Sequence, residues 1–353
     1  MMIPLGCLRV KNGERFDNKH CDSQPKLNTS LFGQVIPHPI FNASGPLCVT
    51  AEDLEALASS QASAILSKSC TLFPRVGNPL PRYSELPSGL GSINSMGLPN
   101  LGCKTYLEIF SGLRPSLQGR PAILSIAGLS IEENRELLNI ARSATHLTAI
   151  ELNLSCPNIP GKPQIAYDLD HLPELLELLV GSWPSTAPHL GVKLPPYFDP
   201  AHWDRVCETL NHTSALRFVT AINSPGNGLS FLPGTRQVSI APKSGLGGIG
   251  GACIKPFALS NVRELRLRLR KEIEVIGCGG VTSGRDVLEH LLCGAQAVQV
   301  GTSFYEEGTS IFDRLQRELQ EELSKLNFKC VDDARGQWTA DAGRSASSAD
   351  QYR

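Results

Sequence analysis

The chain is 353 residues long, more than most single compact units but within the reach of an α/β barrel. Its 33 Lys and Arg balance 34 Asp and Glu to a net charge of −1, with no long same-sign run, which speaks against nucleic acid or an acidic membrane surface as partner. At 41% hydrophobic and 19% charged it reads as soluble and globular; no run approaches a membrane span, and the apolar stretch in Met1–Val10 lacks a leader's basic flank, so a cytoplasmic location is expected.

In chain order, short apolar runs alternate with amphipathic ones. A segment over 1–30 precedes strand Ile40–Ala43 and helix Ala51–Ser60. Strand Ala64–Ser67 leads, after a long connection, to helix Lys104–Leu113. Strand Ala122–Ile126 is followed by helix Ile131–Ser143, and strand Ala149–Leu154 by helix Leu172–Val180. Strand Leu190–Leu194 precedes helix His202–Leu210. Strand Phe218–Ile222 precedes a second long connection and helix Ala258–Leu269. Strands Glu274–Ile276 and Ala297–Val300 are followed by helices Arg285–Leu292 and Ser310–Leu326.

The strands are apolar on consecutive positions, as parallel strands covered on both faces are. Eight alternations predict an α/β fold, a (β/α)8 TIM barrel over 31–330, with a doubly wound open sheet as the structural rival. The connections 70–101 and 225–255 are the extended loops expected over the C-terminal face of the strands, the second with a possible hairpin around Gln237–Ala241. The tail 331–353 is small and polar from Trp338 onward, and disorder is expected there. Eleven cysteines, with no C-x-x-C pair and no zinc-type spacing, read as reduced core residues, and no metal site is expected.

Barrel chemistry belongs at the C-terminal strand ends. Those ends carry Asn42-Ala43-Ser44-Gly45, Lys68-Ser69, Asn153 with Cys156 and Asn158, Lys193, Asn223-Ser224, Gly279-Gly280 and Gly301-Thr302. The loop after the second strand adds Asn94, Met96, Gly97 and Leu98. Pro157 stops regular pairing, so Cys156 sits where a strand gives way to a loop. A thiol there is either an inert buried cysteine or, if its pKa is depressed, a base. A lone strand-end lysine is an ordinary solvated charge; two, ending buried strands, weaken that reading. The glycine pairs end the seventh and eighth strands, where barrels bind phosphate on backbone N–H groups, although tight turns alone also use glycine. Gly245–Gly250 matches G-x-G-x-x-G without the βαβ context that a dinucleotide fingerprint requires.

From about Phe41 to Phe328 the chain resembles the dihydroorotate dehydrogenases, and within them the soluble, fumarate-dependent class 1A. The strings that carry the resemblance are Ser67–Thr71, Gly77–Tyr83, Gly91–Asn100, Glu151–Asp168 (ELNLSCPNIPGKPQIAYD), Gly191–Tyr197 and Gly247–Gly251. The resemblance implies FMN as cofactor, oxidation of dihydroorotate to orotate in pyrimidine biosynthesis, fumarate as acceptor in a ping-pong cycle at one site, and a homodimer. It implies Cys156 as the catalytic base. Lys68, Asn94, Met96, Gly97, Leu98, Asn153, Asn158, Asn223 and Ser224 would hold substrate. Ala43, Ser44, Gly45, Lys68, Ser69, Asn153, Lys193, Gly251, Gly279, Gly280, Gly301 and Thr302 would hold the flavin, and the loop around 157–164 would act as a lid. Pro225 and Pro46-Leu47 depart from the family pattern without removing a polar group. The competing readings are an FMN dehydrogenase acting on another dihydropyrimidine, a non-catalytic flavin or nucleotide binder, and a Schiff-base aldolase using Lys193 or Lys68.

Overall fold

The computed structural model describes residues 24–155 and 164–339. It opens with a hairpin, β1 (Thr29–Leu31) and β2 (Gln34–Ile36), turning at Phe32-Gly33. The barrel begins with β3 (Ile40–Asn42), α1 (Ala51–Ala58) and β4 (Ile65–Leu66). The first long connection contains β5 (Tyr83–Leu86) and β6 (Gly91–Asn94), and leads to α2 (Cys103–Leu117). Then come β7 (Ala122–Ile126), α3 (Ile131–Ala141), β8 (Ala149–Asn153), α4 (Leu172–Val180), β9 (His189–Leu194), α5 (Pro200–His212) and β10 (Leu216–Ala221). The second long connection contains β11 (Gly228–Leu229) and β12 (Leu246–Gly250) before α6 (Lys255–Arg268). The chain continues through β13 (Glu274–Cys278), α7 (Gly284–Leu292), β14 (Ala297–Val300), α8 (Thr302–Glu307), α9 (Ile311–Lys325) and α10 (Val331–Ala334).

Eight strands pair in parallel in the order β3-β14-β13-β10-β9-β8-β7-β4, the (β/α)8 arrangement expected from the apolar runs. The two edge strands, β3 and β4, meet through a side chain. Asn42 Nδ2 donates to Leu66 O at 2.7 Å, and Leu66 N donates to Asn42 Oδ1 at 3.0 Å. A carboxamide offers one donor and one acceptor, so it stands in for a ladder rung where β4 is only two residues long.

Local capping fixes where helices begin. Thr50 with Asp53, and Ser283 with Asp286, form reciprocal capping boxes, each satisfying N–H groups that a helix start leaves open. α9 buries Ile311, Leu315, Leu319 and Leu323, four positions at a spacing of four that place one stripe against α7. The β1–β2 hairpin plugs the N-terminal end of the barrel. Leu31, Phe32 and Ile36 pack with Phe41, Leu66 and Phe218, the Phe32 and Phe218 rings 4.8 Å apart.

Several elements differ from the sequence reading, the β1–β2 hairpin, β5, β6 and α10 among them. The second long connection does form antiparallel bonds near 237–241: Phe231 bridges Val238, with Leu232 N donating to Gln237 O. Its regular strand, however, is the glycine-rich 246–250 segment, which joins a four-stranded sheet β11-β12-β6-β5. Glycine permits this approach, since a Cβ on Gly247 would lie 2.6 Å from Asn94 O. An additional helix, α8, precedes α9. The two ends of the barrel chain are joined by backbone bonds: Lys26 N donates to Lys329 O and Val331 N to Lys26 O, and Val331 and Ala334 are buried. The rest of the tail, 340–353, lies outside the described residues, as does most of the 1–30 segment.

Among the described residues no helix is long and apolar enough to cross a membrane, and the described cysteines are free thiols. His38 is buried as a neutral ring, its Nδ1 accepting from Ile40 N and its Nε2 facing Gln61 O. Burial lowers the pKa of both His38 and His290 from 6.5 to about 4. The unfolded chain therefore takes up protons on these rings first. Their contribution is complete above about pH 6.5 and is lost as pH falls towards 4, a change on the order of several kcal/mol. Urea midpoints should fall from pH 7 to pH 5, and His38→Gln should flatten that slope; an unchanged slope would count against the assignment.

Candidate active site

A cavity partly open to solvent lies at the C-terminal ends of the barrel strands, where barrels place their sites. Each strand supplies its wall in turn. Past β3, Ser44 and Gly45 lead into a tight 3-10 turn at Pro46–Cys48, closed by Gly45 N donating to Cys48 Sγ at 3.2 Å. Past β4, Lys68 is buried and its backbone N donates to Cys48 O. Ser69 sits between Ser44 and Ser125, with hydroxyl separations of 3.0 and 2.8 Å.

At the end of β8, Asn153 Nδ2 donates to Ser69 Oγ at 3.3 Å, while its Oδ1 accepts from Ser155 N and from Asn223 Nδ2 at 3.2 Å. Asn223 Nδ2 also reaches Ser155 O at 3.1 Å, and Asn223 Oδ1 accepts from Ser224 N. The carboxamides expected at β8 and β10 are thus bonded to one another and hold a shared orientation. Cys156 and Asn158, with the expected lid segment up to 163, lie outside the described residues.

The first long connection folds over this floor. Asn94 Nδ2 donates to Gly248 O at 3.3 Å, tying β6 to β12. The carbonyls of Met96, Gly97 and Leu98 are taken by Asn78 N, Arg75 Nε and Asn100 Nδ2, which fix the course of this segment. Met96 and Leu98 line the cavity but Gly97 does not. The place of a Gly97 Cβ is filled by Asn78, 2.2 Å away, and φ is +74°, so its glycine is required by the turn. Pro225 is tied in as well, its carbonyl accepting from Ile249 N.

At the far side, Gly251, Gly279, Gly280, Gly301 and Thr302 line the wall, as do Ala43 and Lys193. Gly280 has φ +74°, and a Cβ there would meet the Lys255 backbone at 2.5 Å. Lys68 and Lys193 are the charged side chains among the described lining residues, and none of those residues is a carboxylate. The site therefore suits an anionic ligand.

Several lining residues were not expected from the sequence, among them Ser92, Tyr83, Tyr305, Cys278 and Gln299. Behind the floor is Glu151, wholly buried. Lys193 Nζ donates to Gln299 Oε1 at 3.0 Å and lies 4.0 Å from Glu151. Burial pulls the Lys193 ammonium down, while Cys278, then Glu151 and Cys48, push it up, and the net direction is upward. Burial raises Cys278 in turn. A signal existed for both Glu151 and Gln299, since each is a hydrogen-bonding side chain flanked on both sides by apolar residues within a strand.

Comparison with known proteins places this site in context. A family model described as dihydroorotate dehydrogenase matches residues 26–323. The dihydroorotate dehydrogenase A (fumarate) of Lactococcus lactis subsp. cremoris strain MG1363 is 49% identical over 311 residues, covering 88% of this chain and 98% of its own. The dihydroorotate dehydrogenase (fumarate) of Saccharomyces cerevisiae is 47% identical, covering 88% and 97%. The ligand-free DHODH of Eimeria tenella superposes with a TM-score of 0.72 at 20% identity, over 92% of this chain and 94% of that one, a likeness of fold alone.

Proposed function

The chain belongs to the dihydroorotate dehydrogenase family, and we propose that it works as the fumarate-dependent members do, oxidising dihydroorotate to orotate in pyrimidine biosynthesis with fumarate as acceptor. The observation that carries this reading is the convergence of Lys68, Asn94, Asn153, Lys193 and Asn223 on one cavity without a described carboxylate. Dihydroorotate, orotate and fumarate are all carboxylates, and the first two also present a ring edge of amide donors and acceptors.

FMN fits the same cavity as the cofactor. Gly251, Gly279, Gly280, Gly301 and Thr302 form a wall in which backbone N–H groups can approach a phosphate, at the strand ends where barrels bind one. Ala43, Ser44, Gly45, Ser69 and Lys193 would hold the ring system. When bound, FMN supplies the hydride acceptor and donor that the two half-reactions share. The protein's part is to bind, orient and move a proton. Asn94, Asn153, Asn158, Asn223 and Ser224 would hold the pyrimidine edge, the N–H groups of the segment Met96-Gly97-Leu98 the carboxylate, and Lys68 would lie near both ligands. Cys156 would take the proton from C5 of dihydroorotate and return one to fumarate in the second half-reaction. We place the catalytic unit at 31–330, in a cytoplasmic homodimer.

The Glu151 carboxylate 4.0 Å from Lys193 Nζ favours the ammonium form, which counts against a Schiff base on Lys193, since that needs a neutral amine. Purified protein should be yellow, bleach anaerobically with dihydroorotate and regain its colour with fumarate. Initial-rate lines should be parallel, orotate leaving before fumarate enters. Fumarate failing to restore the colour, or dihydrouracil bleaching it faster than dihydroorotate, would overturn this reading.

A further inference from the structure

Glu151 lies in the middle of β8 among Ala149, Ile150 and Leu152, with no exposed surface. A carboxylate in such a place is costly unless it is paired and hydrogen-bonded. Its Oε2 accepts from Thr220 Oγ1 at 2.7 Å and from Gln299 Nε2 at 2.8 Å. Its Oε1 has no hydrogen-bond partner and faces Lys193 Nζ at 4.0 Å. Gln299 spans the pair, accepting from Lys193 Nζ through its own Oε1. One orientation of that amide serves both neighbours: NH2 towards the carboxylate, which only accepts, and oxygen towards the ammonium, which only donates.

The relay therefore has a direction. Lys193 and Gln299 line the cavity while Glu151 does not, so the positive end faces the ligand. The other groups acting on Lys193 are Cys278 of β13 and Cys48 of the turn after β3. Burial raises both thiols, Cys48 to about 11, which leaves Glu151 as the source of negative charge at neutral pH. Lys68 shares the cavity as a second cation.

We infer that Glu151 and Gln299 are positioning residues that hold the Lys193 ammonium charged and aimed into the cavity, and so set the balance between oxidised and reduced flavin bound there. The inference rests on the FMN reading above. Reduction adds negative charge to the flavin ring, and a fixed ammonium beside it favours the reduced form. Without the Glu151 charge, a buried lysine loses its proton at lower pH. Its positive charge is then present below the lowered pKa and lost above it.

The test compares wild type with Glu151→Gln and, should that variant misfold, Gln299→Met, each as the full chain loaded with FMN. Affinities for oxidised and reduced FMN are measured at pH 6 and pH 8. At pH 8 the variants should lose roughly tenfold in affinity for the reduced form relative to the oxidised form, about 30 mV for a two-electron couple, and lose less at pH 6. Equal weakening of both forms, or a ratio that stays at the wild-type value, would overturn the inference. In flavin-free protein, 13C NMR of the lysine side chains should show Lys193 titrating below the usual lysine range in Glu151→Gln; an unmoved Lys193 would likewise overturn it. A wild-type chain that binds no FMN would sink the flavin reading alone, with the charge-holding role still decided by that titration.

Discussion

Replacing Cys156 with alanine should reduce dihydroorotate oxidation by about 10²–10⁴-fold, the usual worth of a positioned general base, while FMN remains bound. Ser155, the last described residue before it, is buried, and its hydroxyl donates to Lys193 O at 3.1 Å. Its partners Asn153, Lys193 and Asn223 line the cavity. Two lysines and no described carboxylate line that cavity, an electropositive setting of the kind that favours a thiolate. Cys156→Ser should recover part of the activity at higher pH, because a hydroxyl is a poor base near neutrality. Stopped-flow reduction by dihydroorotate reads the effect directly, separate from reoxidation. Near wild-type reduction of the alanine variant would mean that another group takes the proton.

Gly280→Val should release FMN from a barrel that remains folded. The Gly280 φ of +74° is unfavourable for any residue with a Cβ, at roughly 1–2 kcal/mol. Beyond that, the added Cβ would lie 2.3 Å from Lys255 Cβ and 2.6 Å from Lys255 N, at the start of α6. That start is anchored, since Lys255 Nζ pairs with Asp286 at 2.6 Å and Glu289 at 2.9 Å. The loop must therefore shift, and with it the N–H groups proposed to hold the phosphate. Gly234→Ala is the control: its φ is +73°, yet nothing lies within 4 Å of the new Cβ, so it carries the same strain without the clash. Circular dichroism and flavin stoichiometry together separate the outcomes. Stoichiometric FMN in folded Gly280→Val would place the phosphate elsewhere.

The barrel and the ring of groups at its C-terminal end were legible in the sequence for a simple reason. Parallel strands covered on both faces must be apolar at consecutive positions, so all eight could be counted, and the residue following each apolar run is by construction at a strand end. Lys68, Asn153, Lys193, Asn223 and Gly280 followed from position alone, and the structure lines one cavity with them. Eight helices were legible to within a few residues, helped by local caps such as Thr50 with Asp53, whereas the short α8 and α10 were not.

What adjacency in sequence could not convey is pairing across the barrel. The 246–250 segment looks like a loop from its glycines, yet it is a strand, because β6 lies close enough to exclude side chains there. Glu151 reads locally as an anomaly in an apolar run. Only the closed barrel brings it Thr220, 69 positions away, and Gln299, 148 positions away. By itself the sequence determined the fold and which side chains stand at the strand ends, since both follow from local periodicity. The tertiary structure alone decided which of those groups are charged and how they are aimed, since a buried ion is held by partners that only folding assembles.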